Sequence, residues 1–233
     1  MSFQVYLWPQ DDPAAGFSAK PGKRLTPAEA QMFPVDEEAA PYEPPAVAYR
    51  ADGAGNLTDM TLYEGRLSPV FSYRGPEGEL AFIEPPEAGA EMAEPVPLGR
   101  VKLPVGEKRL ILIFFPQADG TYRIIPVKAS PKDVPAGHAI LINLTRTPLG
   151  CSLGGSVFEM DSGAQSLQSL IVNDSHMQMM LLASRDRNGN WRRQHFNKYH
   201  VDSQDRLLFV IYNPAGHTSH FKVEKLDLNV IAR

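Results

Sequence analysis

Arg109-Leu-Ile-Leu-Ile-Phe-Phe-Pro116 decides the fold, because the chain repeats it as Arg206-Leu-Leu-Phe-Val-Ile-Tyr-Asn-Pro214. Each stretch is an arginine, six apolar residues and a proline stop, with Asn213 interposed before the proline in the second. A run that is apolar throughout, rather than at every second position, belongs to an element covered on both faces. Six residues ended by proline are too few for a buried helix, and the Ile, Val and aromatic content fits a strand. The copies start 97 residues apart (206 − 109), about one small sandwich domain. Each precedes a second strand-like run, at 122–127 and 220–223.

Working outward, the first copy sits among strand candidates at 46–50, 57–63, 67–74, 79–84, 98–103, 109–115 and 122–127, an immunoglobulin-like set. The second sits among candidates at 138–145, 149–153, 156–160, 168–172, 177–184, 191–201, 207–212 and 220–226. Asn188-Gly189 and the turn-forming residues at 203–205 and 214–216 predict that the last four strands form an antiparallel meander. Residues 3–8 alternate loosely and predict a short strand that Pro9 ends. From Pro9 to Pro45 the composition resists a sheet, except that Thr26-Pro-Ala-Glu29 is a helix-start signal for about two turns over 27–33.

The fold expected is therefore all-β, with two tandem immunoglobulin-like antiparallel β-sandwiches. A Pro/Ala/Glu-rich extension covers 1–45, the first sandwich 46–128 and the second 137–230. The echoed strands take equivalent central places. The alternative is one large β-sandwich in which both echoed strands share a sheet.

Composition narrows the class. The chain has 233 residues, 43% of them hydrophobic, which is enough to build one large or two small cores. Its 21 prolines and 18 glycines favour many short strands over long helices. No apolar run reaches the roughly 18 residues of a membrane helix, so no membrane span is expected. Cys151 is the single cysteine and argues for neither an oxidising nor a reducing compartment. The start lacks a basic segment and apolar stretch, so the location is read as cytoplasmic or, with a leader already removed, extracytoplasmic. The layout leans to the second, in a bacterial envelope.

Charge is uneven along the chain. Residues 1–100 hold 7 Lys/Arg against 16 Asp/Glu, a balance of −9, and residues 101–233 hold 16 against 11, a balance of +5. That asymmetry can bring an anionic partner, or a second copy, to the second half, with a strength that salt screens.

Chemistry-bearing motifs are sparse. Gly-x-Ser-x-Gly is absent, and 153–156 lacks the Lys-Ser/Thr ending of a phosphate loop. Cys151 in a strand context reads as a buried, inert thiol. His176-Met-Gln-Met-Met180 offers soft ligands, yet a strand presents at most two of them on one face. His217 and His220 flank a turn with no third ligand visible. No metal or other cofactor is assigned. Asn56, Asn143 and Asn173 begin Asn-x-Ser/Thr triplets, which matter only in a glycosylating host.

The strongest signal outside the core is the hairpin 185–200, which combines aromatic rings with five Arg/Lys and one Asp before its final residues. Strand alternation predicts Trp191, Arg193, His195, Asn197 and Tyr199 on one face. The binding residues expected are Arg187, Trp191, Arg192, Arg193, His195, Lys198 and Tyr199, with an anionic glycan, an acidic protein surface or a second copy as partner. No nucleic acid is expected. A plainer reading puts one ring in the core and leaves the arginines solvated. The function expected is noncatalytic binding or assembly; the competitor is a carbohydrate-active or other hydrolase built on His195, His200 and Asp202.

Overall fold

The structure is a computed structural model that describes residues 1–9, 46–52, 56–76, 78–85, 97–117, 119–172, 174–213 and 221–229. The helix-start signal at 26–29, the turn at 214–216, the His217 and His220 pair and Asn173 lie outside the described residues. Sixteen strands are described: β1 (Ser2–Leu7), β2 (Ala46–Arg50), β3 (Leu57–Thr61), β4 (Phe71–Ser72), β5 (Glu79–Ile83), β6 (Pro97–Lys102), β7 (Arg109–Pro116), β8 (Tyr122–Lys128), β9 (His138–Asn143), β10 (Leu149–Leu153), β11 (Ser156–Met160), β12 (Gln165–Ser169), β13 (Met177–Arg185), β14 (Trp191–His200), β15 (Arg206–Tyr212) and β16 (Lys222–Asp227).

They form four sheets of four strands, in the orders β3-β2-β5-β6, β4-β1-β7-β8, β12-β9-β15-β16 and β11-β10-β13-β14. Adding eight to each strand of the first two sheets reproduces the other two, so the chain is a tandem pair of β-sandwiches with one topology. The echoed strands β7 and β15 are equivalent and central. Even the register repeats. Ser2 lies beside Arg109 in the parallel pair β1–β7, and His138 lies beside Arg206 in the parallel pair β9–β15.

Those parallel pairs depart from the wholly antiparallel sandwich expected, and β1 belongs to the first sandwich rather than to an extension. The strand order also differs from the A-B-E-D over C-F-G order of an immunoglobulin domain, so that likeness is one of architecture. A pairing between strands a hundred residues apart leaves no mark in local alternation. The expected C-terminal meander is likewise split: the β13–β14 hairpin lies in one sheet and β15–β16 in another. The run at 67–74 reduces to β4 with isolated bridges at Leu67 and Arg74, since Pro69 has no N–H for a ladder. The run at 168–172 moves upstream to β12, because Leu170 and Val172 leave the sheet for the core.

Three apolar layers hold the four sheets together. Phe3, Tyr49, Phe82, Leu112 and Phe114 belong to the first core. Leu141, Leu153, Met180, Leu182 and Phe209 belong to the third. Between the sandwiches, Tyr6, Trp8, Ile111 and Ile113 from one side meet Ile140, Ile142, Leu208 and Val210 from the other. Alternate residues of β7 thus serve two cores, and so do those of β15, which is why neither run alternates with polar residues. At the same joint, Arg206 donates to Val134 O at 2.7 Å and Ala129 O at 2.6 Å. A buried guanidinium thereby satisfies two carbonyls of the segment joining the units.

Candidate functional site

The third core claims one face of the sheet β11-β10-β13-β14, and the register assigns the other. Opposite Met180 and Leu182, the outer face carries Val157, Ser152, Leu181 and Phe196 in one row across the four strands. The next row is Glu159, Gly150, Ala183 and Arg193, and Met179 pairs with Lys198. Val157 is 81% exposed, Met179 55%, Phe196 51% and Trp191 39%. Among the described residues this is a contiguous apolar face edged by Arg185, Arg193 and Lys198.

A β-bulge aims the hairpin. Leu182 pairs with His195 but Ala183 pairs with Arg193, which leaves Gln194 as the extra residue on β14. The expected face of Trp191, Arg193, His195, Asn197 and Tyr199 is therefore divided. Trp191, Arg193, Phe196, Lys198 and His200 point outward; Arg192, His195, Asn197 and Tyr199 lie on the core side of the strand. The first sandwich has a bulge at the equivalent place, where Phe82 pairs with Gly99 and Ile83 with Pro97.

Each expected binding residue then has a definite place. Trp191 lies flat over the sheet, where a Cβ added at Gly150 would come within 3.2 Å of its ring. The Arg185 guanidinium sits 4.4 Å from the ring centroid and reaches Glu159 at 3.5 Å. The ring is thus neither core nor bare. Arg192 is turned away by an ion pair to Asp186 at 3.0 Å, and this guanidinium, with the Asn190 and Asn188 N–H groups, holds the Asp186 carboxyl below the usual range. Arg187 is at the exposed tip. Tyr199 packs edge-on against Phe209 at 4.9 Å, and burial raises its hydroxyl pKa. Its hydroxyl lies 3.4 Å from His195 Nε2. Sequence reasoning missed Phe196, Leu181, Met179, Val157 and Arg185, because alternation read without the bulge turns Phe196 inward.

The residues of the hydrolase alternative do not converge. His195 and His200 project from opposite faces of β14, roughly 17 Å apart along a strand rising about 3.4 Å per residue. His200 and Asp202 instead meet His176, with one donor atom from each all within 4.8 Å of one another. Elsewhere, a groove of about 320 Å³ in the first sandwich is lined by Met1, Tyr73, Arg74, Leu103, Val105 and Glu107. Cys151 is buried, and desolvation pushes its thiol up to about 12. Asn143 is fully buried, its amide donating to Thr147 O, Met160 O and Asp161 O, so that triplet is structural.

No family model matches the chain. No curated protein matches it either. Among solved structures it is similar to one of extended synaptotagmin 2 that comprises an SMP domain and two C2 domains, at 12% identity and a TM-score of 0.24, over 80% of this chain and 50% of that one. The chain thus spans about half the length of that structure. No described helix is long and apolar enough to cross a membrane.

Proposed function

We propose that this protein is a noncatalytic binding or assembly module whose recognition surface is the outer face of β11-β10-β13-β14, and that its partner is an acidic protein surface with apolar side chains. One observation carries the reading: the two sandwiches differ at equivalent positions of their outward faces. Where the first pairs Ala81 with Arg100 and Glu79 with Lys102, the second pairs Leu181 with Phe196 and Met179 with Lys198. Ala81, Arg100 and Glu79 of the first copy are replaced by Leu181, Phe196 and Met179 in the second, while lysine is kept at 102 and 198. Clustered exposed apolar side chains mark interaction sites. Arg193 and Lys198 at the margin favour an anionic partner.

Aliphatic neighbours favour a protein over a glycan, and the Trp191 ring already carries a guanidinium. The chain supplies one candidate occupant in a second copy: residues 29–45 hold five acids, no Lys or Arg, and Met32, Phe33, Val35 and Tyr42.

The test titrates a synthetic peptide of residues 29–45 into the full chain across a salt series, with sedimentation velocity to follow self-association. Leu181→Ala with Phe196→Arg installs the first sandwich's residues and is expected to abolish binding at every ionic strength while leaving the fold intact. Arg193→Ala with Lys198→Ala is expected to weaken binding mainly at low salt. The reading fails if the parent neither binds the peptide nor self-associates, or if these variants behave as the parent does.

A further inference from the structure

We infer that His176, His200 and Asp202 form a binding site for a divalent transition ion of the zinc type, at the open end of the β13–β14 hairpin. Two imidazole nitrogens and a carboxylate oxygen are ligands that suit zinc, cobalt or nickel, whereas magnesium and calcium prefer oxygen throughout. Their donor atoms already lie within 4.8 Å of one another. Zinc with ligands at about 2.0–2.2 Å in a tetrahedron holds neighbouring donors about 3.3 Å apart, so closing the set moves any pair by at most about 1.5 Å. Water completes the coordination.

The backbone assembles the three from separate pieces. His176 precedes β13 with φ of 52°, the one non-glycine residue in the left-handed region among those described. Such a residue is held by its surroundings at some cost. Here the His176 carbonyl accepts from Val201 N–H at 2.8 Å, which places the histidine beside the end of β14. Asp202 begins a turn closed on both sides, its N–H donating to Asp205 Oδ2 at 2.9 Å and its carbonyl accepting from Asp205 N–H at 3.0 Å. His176 Nδ1 is 2.7 Å from Asp202 Oδ1, and the two imidazoles are parallel within 9° at 5.7 Å. All three side chains are exposed, so the rings are free to turn about χ2 until their lone pairs converge. The nearby cation Lys225 donates to the His200 carbonyl at 2.9 Å.

The site is independent of the peptide-binding reading, and its test uses the metal alone. Zinc is titrated by calorimetry into metal-stripped full-length protein, and cobalt substitution is followed by its visible absorption. The expected result is one ion per chain, and cobalt bands of a low-coordinate N/O site. His176→Ala, His200→Ala and Asp202→Asn should each weaken affinity about a hundredfold or more, since losing even an outer-shell partner costs 10–100-fold. His138→Ala, whose ring bonds Ala136 and Ser169, is the control and should bind as the parent does. Circular dichroism confirms that each variant is folded. No zinc binding by the parent, or equal binding by His176→Ala and His200→Ala, overturns the inference.

Discussion

Replacing Ile113 by alanine should destabilise both sandwiches as one unit. Ile113 is fully buried in the layer between them, on a strand whose neighbours Leu112 and Phe114 face the first core instead. The change removes three carbons, worth about 2.4 kcal/mol at roughly 0.8 kcal/mol each. The cavity left between two sheets that cannot close independently lifts the loss toward about 3–4 kcal/mol. With a urea dependence of about 2–3 kcal/mol/M for a chain of this size, the midpoint falls by about 1–2 M.

The two tryptophans make the coupling measurable. Trp8 sits in the shared layer, stacked on Phe115 at 4.9 Å and edge-on to Tyr212 at 4.4 Å across the joint. Trp191 lies on the far face of the second sandwich. Trp191→Phe and Trp8→Phe backgrounds each leave one reporter, and in both Ile113→Ala should move a single transition by the same amount. Ile113→Val should cost only about 0.5–1.5 kcal/mol. Two separate transitions, or a Trp191 midpoint that ignores Ile113→Ala, would refute the reasoning that the middle layer makes one cooperative body.

Glu224 is half-buried beside Tyr6, and desolvation raises its carboxyl pKa. A raised carboxyl gives stability that is present at low pH and lost as pH climbs through its folded value. Glu224→Gln should therefore raise the melting temperature at pH 7, and that gain should vanish in melts run below the unfolded carboxyl range. Asn143→Ala removes the amide that donates to Met160 O, Thr147 O and Asp161 O and the oxygen that accepts from the buried Thr145 hydroxyl and N–H, and a urea melt should register a loss of about 2–3 kcal/mol. Cys151 should resist a thiol reagent at pH 8 in the native protein and react promptly in denaturant; fast native labelling would contradict its burial.

Much of this fold was legible in the sequence because the pattern that matters is local. Continuous apolar runs at 110–115 and 207–212 announced strands with two covered faces, and Asn188-Gly189 announced the turn between β13 and β14. What alternation cannot encode is which distant strand lies alongside. Ser2–Leu7 looked like an isolated strand before a linker, yet its partner is β7, more than a hundred residues on. The candidate surface was half legible for a related reason. Its composition singled out the right hairpin, but Gln194 adds one residue to one strand and exchanges the faces of everything beyond it. Phe196 moved outward and Tyr199 inward by that single insertion. The His176, His200 and Asp202 cluster was invisible because one member precedes a strand, one ends its partner and the third lies in a turn.

The duplication also explains why the two halves are free to differ where they do. In each copy the sheet containing β1 or β9 must be apolar on both faces, since one face fills that copy's own core and the other meets its twin. Ile111 and Ile113 on one side, and Leu208 and Val210 on the other, are held to that requirement by burial. The sheets β3-β2-β5-β6 and β11-β10-β13-β14 carry no such double demand. Their inner faces must fill a core, as Phe82 and Leu182 do; on the outer faces the first sheet buries the pair Ala48 and Ile83, while Val157, Met179 and Phe196 of the second are exposed. Solvent alone would favour small or charged side chains there, and Ala81 with Arg100 meets that expectation. Leu181 with Phe196 does not. One backbone, one register and one bulge lie behind both pairs, and this contrast is the observation on which the proposed partner surface of the second sandwich rests.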